Sequence, residues 1–152
     1  KNDEPYLIEY NIRMGDPECQ VLMMKLETDL LNIVEAVINN DLSKLKIEWD
    51  NKKCITIVLC AKGYPGEYIK DKEIENLSKV HLDKNNQIFH AGTYEINEKI
   101  FSKGGRVLNL TSSSNNLNDA RNNSLSNLEK IKWNDGFFRK DIGWKVIENK
   151  KI

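Results

Sequence analysis

The chain has 152 residues, 23 Lys and Arg against 23 Asp and Glu, and a formal net charge of zero. It therefore lacks the basic excess of a nucleic-acid binder, and no apolar run approaches the roughly 20 residues that span a bilayer. An apolar share of 39% and a charged share of 30% describe an ordinary soluble domain, long enough to bury roughly 70% of its unfolded surface.

Three cysteines, Cys19, Cys54 and Cys60, contain no Cys-x-x-Cys pair. That argues against a disulfide framework or a zinc site and fits a reducing, cytoplasmic location. No secretory signal is visible.

In chain order, residues 6–14 read as a strand. Tyr6, Ile8, Tyr10, Ile12 and Met14 fall on one face, and Leu7, Glu9, Asn11 and Arg13 on the other. At Gly15 the strand turns. Asp16 can cap a helix, Pro17 suits the first helical position, and Glu18 lies in the first turn, where negative charge is favoured. The helix runs from Pro17 to Leu26. Thr28 is a candidate cap for a second helix, on which Leu30, Leu31, Val34, Val37 and Ile38 repeat at helical spacing. Asn39-Asn40-Asp41 ends it, and a short turn at Leu42–Leu45 follows.

A second unit begins near Lys46. Asp50–Lys53 is a turn, and Cys54–Ala61, the most apolar run, is a central strand. Gly63-Tyr64-Pro65-Gly66 turns sharply. Val80-His81-Leu82 reads as a short strand, Asp83–Asn86 as a turn and Gln87–Ile96 as one strand. Asn97-Glu98 turns into Ile100-Phe101, and Lys103-Gly104-Gly105 turns into a strand over Arg106–Thr111. Strands joined by short turns imply an antiparallel sheet. Ser112–Asn116 is a polar loop whose Asn116 caps a helix, with Asp119 three residues on. Leu117, Ala120, Arg121, Ser124, Leu125, Leu128 and Ile131 mark one apolar stripe on that helix. Trp133, Phe137, Phe138 and Trp144 are expected to pin the tail to the sheet, and Lys150 and Lys151 to fray.

The chemistry concentrates near the first residues. Glu9, Asn11 and Arg13 stand about 7 Å apart along a strand. A carboxylate and an amide oxygen suit Mg²⁺, which takes one or two protein oxygens and leaves its other positions to water and phosphates. An Arg fork beside them suits an oxyanion. The pattern fits an ordinary half-buried strand equally well, and Asp16 serving only as a helix cap is a rival to any binding role. A lone strand histidine such as His90 is more often structural than functional, and Arg106, after two glycines, also fits a surface arginine beside a hairpin turn. No Ser-His-Asp set, phosphate loop or dinucleotide fingerprint is present.

Glu9-Tyr10-Asn11-Ile12-Arg13-Met14-Gly15-Asp16-Pro17-Glu18-Cys19-Gln20 resembles the signature of the phosphoribosylamine–glycine ligases of the ATP-grasp superfamily. Its Glu-x-Asn-x-Arg part is shared by many ATP-grasp ligases, biotin carboxylase included. The Arg-x-Gly-Asp-Pro-Glu continuation is far more specific. Gly63-Tyr64-Pro65-Gly66, Phe89-His90-Ala91-Gly92-Thr93, Gly104-Gly105-Arg106-Val107-Leu108 and Phe138-Arg139-Lys140-Asp141-Ile142-Gly143-Trp144 agree with it, so the resemblance runs in order along essentially the whole chain.

The resemblance implies an α+β chain: the end of an ATP-grasp domain over 1–28, a helical connector over 29–45, and a C-terminal antiparallel sheet domain with a covering helix over 46–152. It implies the C-terminal portion of a larger enzyme, with nucleotide-binding and grasp regions upstream. Glu9 and Asn11 match the positions that bind Mg²⁺ or Mn²⁺ with the phosphates of ATP. Arg13 matches the catalytic, phosphate-facing arginine. Asp16 and Glu18 are expected at the acceptor pocket near glycine, His90 at the border of the cleft, and Arg106 at the ribose phosphate of 5-phosphoribosylamine. The reaction implied belongs to de novo purine biosynthesis. Another ATP-grasp ligase, or a module that only binds, are the alternatives.

Overall fold

The computed structural model describes residues 4–148. Its centre is β1 (Lys53–Ala61), the apolar run expected as a central strand. Alternation decides its faces. Ile55, Ile57, Leu59 and Ala61 are buried on one side, while Thr56 and Val58 are half-buried on the other. β1 pairs antiparallel with β6 (Arg106–Ser114), which pairs on its far side with β3 (Asn86–His90). The short β7 (Gly136–Phe137) closes the other edge, giving the order β3-β6-β1-β7.

α3 (Leu117–Leu128) packs across β1 and β6. Its buried residues Ala120, Ser124 and Leu128 recur every four positions, so a single stripe faces the sheet. Ile57, Leu59, Leu108, Leu110, Leu128 and Trp133 belong to one core cluster. Each large apolar side chain buried there contributes about 1.5–3 kcal/mol. Asn116 caps α3 as expected, its Oδ1 accepting the Asp119 N–H at 2.8 Å.

α1 (Glu18–Lys25) also packs against β1 and β6. Pro17 shares a cavity with Thr56, Val58 and Cys60, so the start of α1 sits on the sheet face opposite α3. α2 (Leu30–Ile38) and a 3₁₀ turn at Leu42–Lys44 form an excursion whose two ends meet. Asp50 N–H donates to the Lys25 carbonyl at 2.8 Å, and Glu27 N–H to the Glu48 carbonyl at 3.0 Å.

A second sheet carries β2 (Glu73–Ile74), β5 (Lys99–Ser102) and β4 (Thr93–Ile96), in that order and antiparallel. The last element among the described residues is α4 (Trp144–Glu148). The architecture is mixed α and β with antiparallel sheets, and among the described residues no helix is long and apolar enough to cross a membrane.

Several expectations are corrected. Residues 6–14 form no strand. Alternation favours a strand, but a paired neighbour is required too, and among the described residues none lies alongside. Ile8 is 94% exposed and Ile12 100%. Asp16 does not cap α1; Pro17 takes the cap position, with no side-chain hydrogen bond. Asp29, not Thr28, caps α2: its Oδ1 accepts from Leu31 N–H at 2.8 Å, while the Thr28 hydroxyl accepts from Glu48 N–H at 2.7 Å.

Val80–Leu82 is not a strand, because Val80 is a single buried anchor after a 3₁₀ turn at Leu77–Lys79. Gln87–Ile96 splits between the two sheets at Ala91-Gly92. The Gly92 carbonyl accepts from Lys103 and Gly104, and a β-carbon on Gly92 would lie 2.7 Å from Gly104 Cα. Ser112–Ser114 extend β6 rather than forming a loop, and Ser113 N–H donates to the Asn85 carbonyl. Trp133 is buried and Phe138 packs against the core cluster, while Trp144 is 40% exposed and is not part of that cluster. Lys150 and Lys151 lie outside the described residues.

Candidate functional site

The polar row survives without its strand. Asn11 Nδ2 donates to Glu9 Oε1 at 2.9 Å, and Arg13 Nη1 donates to Asn11 Oδ1 at 3.0 Å. Two-residue spacing, with a bend at Ile12-Arg13, leaves the three side chains close enough to bond in sequence. Arg13 Nη1 also reaches the Met14 carbonyl at 3.0 Å.

The chain then turns through Gly15 into α1, with Cys19 N–H donating to the Gly15 carbonyl at 2.8 Å. Glu18 folds back over this turn. A β-carbon on Gly15 would lie 2.4 Å from Glu18 Oε2, so the missing side chain is what makes room for the carboxylate. Asp16 faces the sheet unit. Its carbonyl accepts from Arg106 Nη1 at 2.9 Å, and its Oδ2 lies 3.2 Å from Arg106 Nη2.

Glu9, Asn11, Arg13, Asp16, Glu18 and Arg106 thus line one cleft of about 340 Å³, with Gly15 and Pro17 between them. Three carboxylates, one amide and two guanidiniums meet there. The carboxylates and the amide oxygen offer hard donors for a cation, and the guanidinium forks suit oxyanions. Among the described residues no group of three or more His, Cys, Asp or Glu side chains is placed to hold a metal ion.

His90 is exposed, its Nδ1 2.8 Å from Thr93 Oγ1, and it is not among the residues lining the cleft. Arg106, expected at a ribose phosphate, directs its fork at Asp16.

A second cavity of about 370 Å³ adjoins the cleft and shares Pro17 and Arg106 with it. Its walls are mostly apolar, from Thr56, Val58, Cys60, Tyr64, Phe137 and Ile142, with Arg139 also lining it. Burial pushes the Cys60 thiol above its ordinary range, with Arg106 acting the other way. Arg139 is held by Asp141 through two parallel bonds, Nε to Oδ1 at 2.9 Å and Nη2 to Oδ2 at 2.6 Å. That hydrogen bonding keeps the Asp141 carboxyl below its usual range.

Motif reading alone did not foresee that the Gly63–Gly66 turn, the Arg106 strand and the Phe138–Ile142 tail converge on this second cavity. The one local signal was the glycine pair before Arg106, which marks an irregular strand entry.

Residues 54–145 match the family model described as phosphoribosylglycinamide synthetase, C domain. The phosphoribosylamine–glycine ligase of Agrobacterium fabrum is 44% identical over 147 residues, covering 97% of this chain and 34% of the relative. The chloroplastic phosphoribosylamine–glycine ligase of Arabidopsis thaliana is 40% identical over 154 residues, covering 100% of this chain and 29% of the relative. The crystal structure of phosphoribosylamine–glycine ligase from Thermotoga maritima superposes with a TM-score of 0.68 at 31% identity, over 91% of this chain and 33% of that one. The chain spans about a third of the length of these relatives. With its antiparallel sheets, its signature cleft and a match over most of its length, the chain belongs to the phosphoribosylglycinamide synthetase C-domain family.

Proposed function

We propose that this chain is the C-terminal part of an ATP-dependent ligase that joins glycine to 5-phosphoribosylamine. ATP phosphorylates the glycine carboxylate to glycyl phosphate. The amine attacks that acyl carbon, phosphate leaves, and the products are glycinamide ribonucleotide, ADP and phosphate. Residues 1–28 end an ATP-grasp domain, 29–45 connect, and 46–152 form the ligase C-terminal domain. The missing upstream regions supply the nucleotide pocket. The enzyme acts in the cytoplasm, or in a plastid where a chloroplastic form exists.

The observation that carries the proposal is the convergence of Glu9, Asn11, Arg13, Asp16 and Glu18 with Arg106, 90 residues later, on one cleft. Glu9 and Asn11 would hold Mg²⁺ or Mn²⁺; one carboxylate and one amide oxygen fit an ion that keeps its other positions for phosphates. When bound, the metal offsets charge on the migrating phosphoryl group. Arg13 stabilises the acyl phosphate as charge develops on it. Asp16, Glu18 and Arg106 border the acceptor side of the cleft; His90 lines neither cavity and takes no part in this reading.

The test is ADP release by the longest natural chain containing this sequence, with Mg²⁺, ATP, fresh phosphoribosylamine, and glycine present or absent. Release that requires both glycine and the amine is expected. Release driven by another acid would discard glycine and keep the ATP-grasp chemistry. No release would overturn the ligase reading.

A further inference from the structure

We infer that Arg106 is a positioning residue, one that clamps the Asp16 turn to the mouth of β6 and so sets where the Glu9-Asn11-Arg13 row stands against the sheet. The first support is connectivity. Among the described residues, its bond to Asp16 is the only hydrogen bond joining residues 6–17 to anything beyond α1. The guanidinium holds both parts of one residue, the Asp16 carbonyl and the Asp16 carboxylate, at 2.9 and 3.2 Å. A planar fork gripping two acceptors restricts rotation as well as distance.

The second support is how the strand aims it. Leu59 pairs with Leu108, yet Cys60 pairs with Arg106, so Arg106 and Val107 together oppose one residue of β1. In a regular ladder Arg106 would share the face of Leu108, which lies in the core. The bulge turns it instead to the face of Thr56, Val58 and Cys60, with which it lines the apolar cavity. Val107, the residue beside it, goes fully into the core. Bulges of this kind re-aim side chains beside functional sites. The local irregularity of β6 therefore has an outcome: a guanidinium that stands between the apolar cavity and the polar cleft and touches the loop between them.

This inference rests on the ligase proposal only for its activity readout. Arg106→Gln and Arg106→Lys are made in the longest natural chain. Losing the clamp should raise amide hydrogen exchange over residues 15–20 by about tenfold, while the amides of β1 and β6 are unchanged. Turnover should fall at least about tenfold with KM for phosphoribosylamine held within about twofold, since misplacement costs rate rather than ground-state binding. Arg106→Lys, which keeps the charge but not the fork, should fail to restore either. Unchanged exchange over 15–20 would overturn the inference. So would a loss expressed as raised KM, which would put Arg106 on the substrate's phosphate, or full rescue by Lys. Should Arg106→Gln fail to fold, Arg106→Lys carries the test alone. A chain without ligase activity would sink the functional proposal and leave the exchange result to decide this one.

Discussion

The ring of Tyr64 stands against Gly105, so close that a β-carbon there would lie 2.2 Å from Tyr64 Cδ2. This contact seats the Gly63–Gly66 turn on the entry to β6 and forms one wall of the apolar cavity. Gly105→Ala must push the ring aside. We expect a loss of about 1–3 kcal/mol, the usual cost of overpacking, read as a lower urea midpoint with an unchanged slope. Tyr64→Ala in the same background should recover part of that loss, because the two changes share one contact.

In the longer ligase proposed above, Glu9→Gln or Asn11→Ala should lower turnover at least about a hundredfold, a typical cost of removing a charge-stabilising group. The 152-residue chain by itself should show no glycine-dependent ADP release. Near-normal turnover in either variant, with unchanged dependence on Mg²⁺, would overturn their proposed role as metal ligands.

Stability should divide sharply between the two ends of the chain. Leu110 is 1% exposed within the core cluster, and Leu110→Ala should cost about 2–5 kcal/mol through lost transfer energy and a residual cavity. Ile12, fully exposed, should tolerate Ala within about 0.5 kcal/mol. Equal losses at the two positions in urea unfolding would contradict the packing described here.

Alkaline pH should reveal Cys54. Burial pushes its thiol from an ordinary 9.0 up to about 11, against the pull of Lys25. Between those values the folded chain keeps a proton that the unfolded chain has released, so unfolding is favoured as pH rises. The contribution is fully present below pH 9.0 and is lost by about pH 11. Lysines and tyrosines titrate in the same range, so the measurement is a difference. The urea midpoint of the parent should fall more steeply over this window than that of Cys54→Val.

Local chemistry was legible in the sequence wherever it was sufficient. The β1 run, the Asn97-Glu98 turn, with both residues at positive φ, and the Asn116 cap each depend on neighbours a few residues away. The failures share the opposite cause. The alternation over residues 6–14 specifies a pleat but not a partner. Gln87–Ile96 reads as one strand with Gly92 its only irregular position, and what turns that position into a break is Gly104, twelve residues beyond, packing against it. In the site, two-residue spacing was enough to place Glu9, Asn11 and Arg13 side by side. The Arg106–Asp16 pair was not readable, since it depends on a one-residue slip in a ladder formed by distant strands.

The unpaired stretch over residues 6–12 also governs how the chain behaves in a test tube. Tyr6, Ile8, Tyr10 and Ile12 present a sticky apolar ribbon beside backbone that belongs to no sheet, which is the template on which separate molecules zip together. Concentrated samples should therefore self-associate from this end first. Lysines at Ile8 and Ile12 would give a solubility handle that leaves the Glu9-Asn11-Arg13 side of the ribbon untouched.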